Sequence, residues 1–145
     1  MKKELYYVGN KLSLEYFDNL INSNVWKAFA TIHSGVHQQL RIILRYKYNK
    51  DKRGKPLGYH KEKWNIILRK TFDNLIKDLF IIGIIEEPLK TKLIHFNLAR
   101  NKLLGHIDIY ERTEVDDKEI EKICILGLEI CILLDEIIKK IFNPT

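Results

Sequence analysis

The chain has 145 residues, 46% of them hydrophobic and 30% charged, with seven Gly, three Pro and a formal net charge of +6. That length suits one folded domain with its own core, and the balance excludes a disordered, collagen-like or Pro-rich linker protein. The longest apolar runs, 79–85 and 123–128, are too short to span a bilayer, and no apolar segment follows Lys2 and Lys3, so a soluble cytoplasmic protein is expected.

The periodicity predicts helices nearly throughout. Leu14, Phe17, Leu20 and Ile21 recur at three- and four-residue steps, which predicts a one-sided helix over 12–21. Asn22, Ser23 and Asn24 break that pattern and can cap a second helix over 25–46, with Trp26, Phe29, Ile32, Val36, Leu40, Ile43 and Leu44 as its buried stripe. Residues 49–59 hold Gly54, Pro56 and Gly58 among several lysines, which is loop chemistry. A third helix is predicted over 60–82, with Trp64, Ile67, Leu68, Phe72, Leu75, Ile76 and Leu79 facing inward. The run 80–85 has strand-like composition but no second such run to pair with.

Glu86, Glu87 and Pro88 open a fourth helix, since acids and Pro both suit a first turn, and Gly105 closes it. After a connector over 107–115, Asp116 and Asp117 start a last helix running to about Phe142, with Lys139 and Lys140 in its closing turn. Apolar residues cover most of the circumference of that helix, so it is expected to be central in the bundle and shared with a second copy. The fold expected is all-α: a single-domain bundle of about five helices spanning 1–145, forming a homodimer.

Cys124 and Cys131 lie seven residues apart on the last helix, about 10.5 Å along its axis, beyond the reach of a disulfide. Buried free thiols are expected instead. Between Arg41 and Lys70, eleven Lys and Arg stand against two acidic residues, a net +9 that leaves −3 for the remainder of the chain. Tyr46, Tyr48, Tyr59 and Trp64 are interleaved with these cations. Phosphate binding by Arg45, Lys47, Arg53 and Lys55, with rings that stack on bases, is one reading of this segment, and a solvated basic loop is the other.

The segment with the most chemistry runs through Arg100, Asn101, Lys102, Gly105 and His106. Arg100 can hold a phosphate by two parallel hydrogen bonds, and His106 titrates near neutrality and can move a proton. Six residues turn about 240° around an ideal helix, so the two share a face only if the helix ends at Gly105 and the chain swings His106 back. The same residues also fit a helix C-terminus, with His106 near the negative end of the dipole. Elsewhere, His33 and His37 stand i, i+4 on one helix, a spacing that can bind a metal or line the same cleft. His95 is expected to be partly buried, and Asp116 with Asp117 to form an N-terminal cap. There is no Gly-rich phosphate loop, Ser-His-Asp ordering or zinc-finger spacing, and no metal or cofactor is expected.

The pattern Arg100-Asn101 followed after four residues by His106 resembles the signature of the HEPN superfamily (higher eukaryotes and prokaryotes nucleotide-binding domains), and most resembles its abortive-infection branch. The resemblance extends to chain size, helix order, the late position of the motif and the basic charge. It implies a dimeric helical bundle that is a metal-independent endoribonuclease, acting as a toxin or in phage defence. By position, Arg100 would hold the scissile phosphate, Asn101 would orient it and His106 would move protons, with Lys102 beside them on the RNA. It further implies two motifs in one basic cleft at a dimer interface, with RNA and an antitoxin or other regulatory protein as partners. Toxins paired with nucleotidyltransferase antitoxins carry a Tyr two residues after the His; here that position is Asp108, and Tyr110 lies two further on. The same bundle can also serve as a non-catalytic module for nucleic acid, a nucleotide or a protein.

Overall fold

The computed structural model describes residues 4–7, 10–48, 61–105 and 117–142. Among these residues six helices form the bundle: α1 (Leu14–Ser23), α2 (Val25–Tyr48), α3 (Lys61–Arg69), α4 (Phe72–Ile81), α5 (Glu87–Gly105) and α6 (Asp117–Phe142). A short antiparallel hairpin precedes them, β1 (Glu4–Tyr7) with β2 (Asn10–Ser13), in the register Glu4 to Ser13 and Tyr7 to Asn10. The all-α bundle is therefore as expected, with this hairpin added to it.

The break after α1 follows the predicted capping chemistry. Asn24 accepts a hydrogen bond from the Lys27 amide through Oδ1 at 3.1 Å, which satisfies one of the free N–H groups that open α2. The single helix expected over 60–82 is instead two. The hydroxyl of Thr71 accepts from the Asn74 amide at 3.2 Å and starts α4 afresh, so the described residues hold one helix more than the periodicity marked. The strand-like run after α4 is a helix cap. Gly83 sits at φ 80°, with its amide on the Phe80 carbonyl at 3.1 Å and the Ile84 amide on the Leu79 carbonyl at 3.0 Å. This is the two-bond arrangement that ends a helix on a left-handed glycine, and it turns the chain into α5.

One apolar cluster joins all six helices, from Phe17 and Ile21 of α1 through Ile32, Leu40, Ile67, Leu75 and Leu93 to Ile120, Ile130 and Leu134 of α6. The α2–α6 pair is the most extensive contact in the bundle, and α6 also meets α1 and α5, so the last helix is central. The Gln39 side-chain amide ties this pair together: its Nε2 donates to the Cys131 carbonyl at 3.0 Å inside the core. Gly127 of α6 allows the close approach, because a Cβ there would stand 2.6 Å from Ile32 Cγ2 and 2.7 Å from Phe96 Cε1. Cys124 and Cys131 are unpaired and buried, and burial pushes both thiols up to about 12, which leaves them unreactive.

Two predicted core residues lie elsewhere. Trp26 is 43% exposed at the start of α2, and Leu68 is exposed because α3 ends just beyond it. Among the described residues, no helix is long and apolar enough to cross a membrane.

Candidate functional site

Along α2, residues 33, 37, 41 and 45 recur every four positions and are His, His, Arg and Arg. Four residues advance a helix by one turn plus about 40°, so these side chains form a slowly winding stripe along one side. His33 is the deepest, only 8% exposed. Its ring lies 4.8 Å from Phe72 at 24° and 5.5 Å from Phe96 at 29°, stacked on both. The His37 ring follows one turn later, 6.3 Å from His33 and edge-on to Phe72 at 5.5 Å. Aromatic rings of α4 and α5 thus wall the two imidazoles.

Across from this stripe, α5 contributes Asn97 and Arg100, three residues apart and so on one face. Asn97 is buried and donates from Nδ2 to the Asp73 carboxylate, in the first turn of α4, at 2.9 Å. Arg100 is half-buried, and its Nη1 donates to Asn101 Oδ1 at 3.4 Å. Arg41 is held by the Gln38 side-chain oxygen at 3.2 Å and the Leu68 carbonyl at 3.4 Å.

The electrostatics follow from this packing. Burial lowers the His33 pKa from 6.5 to about 4; the charge of Arg100 adds to the effect, Asn97 opposes it, and His37 contributes least. His37 is lowered first by burial and then by Arg41, with the Lys70 backbone opposing and Arg100 adding a smaller push. Both imidazoles are therefore neutral at physiological pH, beside two guanidinium groups. The Nε2 atoms of His33 and His37, Nε of Arg41 and Oδ1 of Asn97 are all buried without a hydrogen-bond partner.

Of the residues singled out in the sequence, Arg100 and Asn101 stand at this cluster on α5, and His33 and His37 line it from α2. Lys102 is exposed in the last turns of α5. Arg45 lies at the far end of the stripe with its guanidinium 4.8 Å from the centre of the Trp64 ring, and Lys47 is exposed beyond it. His106, Arg53 and Lys55 lie outside the described residues, as do Asp108, Tyr110 and Asp116. His95 is exposed rather than partly buried; the α5 face that turns inward carries Phe96 and Asn97 instead.

Asn97 and Asp73 were not anticipated as site residues. The signal for Asn97 was its position one turn before Arg100, whereas Asp73 has no sequence feature linking it to α5. Among the described residues, no group of three or more His, Cys, Asp or Glu is arranged to hold a metal. A cavity of about 700 Å³ lies at the opposite end of α5, between Tyr46, Ile84, Leu89, Leu133 and Ile137, and is mainly apolar. Leu89 and Arg100 are eleven residues apart on α5, about 16 Å along its axis, so cavity and polar cluster are separate. No family model matches the chain, and neither a curated protein nor a solved structure shows significant similarity to it.

Proposed function

We propose that the chain is a HEPN-like endoribonuclease that works as a homodimer and uses Arg100 and His106 without a metal ion. The observation that carries this reading is the position of Arg100, half-buried on α5 and close enough to two neutral imidazoles for its charge to act on both. A guanidinium in partly desolvated surroundings binds a phosphodiester more strongly than one in open water, and its fork matches two phosphate oxygens.

In this mechanism Arg100 holds the scissile phosphate and Asn101 helps to orient it. His106 takes the proton of the ribose 2′-hydroxyl as that oxygen attacks phosphorus; the bond from phosphorus to the 5′-oxygen breaks, the leaving oxygen takes a proton from solvent water, and His106 returns its own to solvent. The products are a 2′,3′-cyclic phosphate and a 5′-hydroxyl, and Arg100 offsets the charge that builds on the phosphorane. Arg45 and Lys47 with Arg53, Lys55 and Lys102 supply sequence-independent attraction for the RNA backbone. Dimerisation has a physical motive in the apolar side chains left on the surface, among them Ile125 of α6 and Leu98 of α5. A toxin or phage-defence setting, controlled by an antitoxin or another regulatory protein, follows from the same resemblance.

The test is cleavage of a mixed-sequence RNA by the purified protein with and without EDTA, followed by analysis of the product ends. Cleavage insensitive to EDTA, leaving cyclic phosphate ends and blocked by 2′-deoxy substitution, is the expected result. RNA binding without cleavage would make the chain a non-catalytic binding module.

A further inference from the structure

Two features of the polar cluster remain without a role in that mechanism: the α2 stripe itself, and the unpartnered polar atoms along it. His33, His37 and Arg41 stand one turn apart on α2; the imidazoles have acceptors beside them in the Asn97 side chain and the Lys70 backbone, whereas Nε of Arg41 is buried with no hydrogen-bond partner. Native proteins rarely leave such atoms unpaired, and a guanidinium N–H left dry is among the costlier cases. Nε of Arg41 can only donate, and a neutral imidazole can place its proton on Nε2. The Arg41 donor and the Arg100 guanidinium both act on the half-buried His37, an arrangement that calls for a ligand that accepts. His33 forms the floor, while His37, Arg41 and Arg100 are half-buried and bring the cluster to the surface.

The charges nearby select the sign of that ligand. Arg100 acts on both imidazoles and Arg41 on His37, and this field repels a cation and attracts an anion. Two acidic groups of α4 are engaged: Asp73 accepts from Asn97, and Asp78 is paired with Lys70 at 2.7 Å. The i, i+4 histidine pair is therefore a poor metal site in spite of its spacing.

We propose that His37 and Arg41 of α2, together with Arg100 of α5, form a subsite for a phosphoryl group above the buried His33. In RNA this is the phosphate next to the one at which Arg100 and His106 act. Its assignment to an RNA chain rests on the ribonuclease reading, whereas the phosphoryl chemistry does not.

Inorganic phosphate is the direct probe. In the full-length protein at low salt and pH 7.5, phosphate titration should move the imidazole resonances of His33 and His37 saturably, and sodium chloride at equal ionic strength should not. Arg41→Gln should weaken this binding about tenfold with helix content unchanged, and Arg41→Lys should restore it only in part because the forked geometry is lost. Absence of a saturable shift, binding unchanged in Arg41→Gln, or a response to zinc chloride in place of phosphate would overturn the subsite. A 2′-O-methyl tetranucleotide, which cannot be cleaved, should displace the phosphate; displacement by adenosine monophosphate alone would overturn the RNA-chain assignment and make the ligand a free nucleotide. Phosphate binding without RNA cleavage would leave the subsite standing and remove the ribonuclease reading. Cleavage without phosphate binding would do the reverse.

Discussion

Asn97 on α5 donates to the Asp73 carboxylate in the first turn of α4 at 2.9 Å, and this bond joins the helix that carries Arg100 to the helix that walls His33. Because Asn97 is buried and its acceptor is a carboxylate, the pair has the strength of a charge-assisted hydrogen bond. Asn97→Ala and Asp73→Ala should each lower unfolding free energy by about 1–3 kcal/mol. The double variant should lose clearly less than the sum of the two, because a single bond is removed twice. Additive losses in urea denaturation would show that the two residues act independently.

Acid should destabilise the protein through His33. Its folded pKa of about 4 lies below the ordinary 6.5, so between these values the unfolded chain binds a proton that the folded one refuses. Stability from this group is complete above pH 6.5 and is lost as pH falls toward 4, by on the order of 3 kcal/mol. His33→Gln should flatten that part of the pH profile. An unchanged acid limb in the variant would assign it to other groups.

Gly127 is expected to be intolerant of any side chain. A Cβ there would meet Ile32 Cγ2 at 2.6 Å and Phe96 at 2.7 Å, atoms of core residues packed on every side. Gly127→Ala should therefore cost about 1–3 kcal/mol although alanine is the better helix former, and Gly127→Leu should prevent folding. Stabilisation by Gly127→Ala in thermal unfolding would mean that α2, α5 and α6 can spread apart at little cost.

Light scattering at micromolar concentration should report a species of twice the 17.3 kDa chain mass. The apolar side chains left on the surface of α5 and α6 are the reason, and Ile125→Glu together with Leu98→Glu should shift the equilibrium toward monomer. A clean 17.3 kDa species at these concentrations would remove the shared cleft from the mechanism.

The helices were legible where their signals were local. Asn24 caps α2 as its residue type predicts, and the Phe29 to Leu44 stripe is buried because a period of 3.6 residues leaves those positions on one side. Gly83 was misleading because apolar neighbours on both sides look like a strand, while its role is to adopt φ 80° at the end of α4. Thr71 is a good N-cap, but the apolar spacing runs on through it, so only the observed hydrogen bond divides α3 from α4. Trp26 shows the reverse limit: it keeps the helical spacing of its neighbours yet sits in the first turn, where the partner helices no longer cover it.

The candidate site was legible in part. Arg100 and Asn101 were visible as a cation and an amide late in the chain, and the spacing of His33 and His37 put them on one helix face. Nothing in the sequence said that this face meets Arg100, because the pairing of α2 with α5 across Phe72 and Phe96 is set by packing between distant segments. Burial then turned two histidines that could have been metal ligands into neutral rings beside two arginines.

The proposed metal-free cleavage of RNA by Arg100 and His106 is tested most directly by the single-turnover cleavage rate of His106→Ala in the presence of EDTA. Loss of the proton-transfer group should slow cleavage about a hundredfold or more, with RNA binding and helix content unchanged. A variant that cleaves at the normal rate, or a parent protein whose activity disappears with EDTA, would contradict the claim.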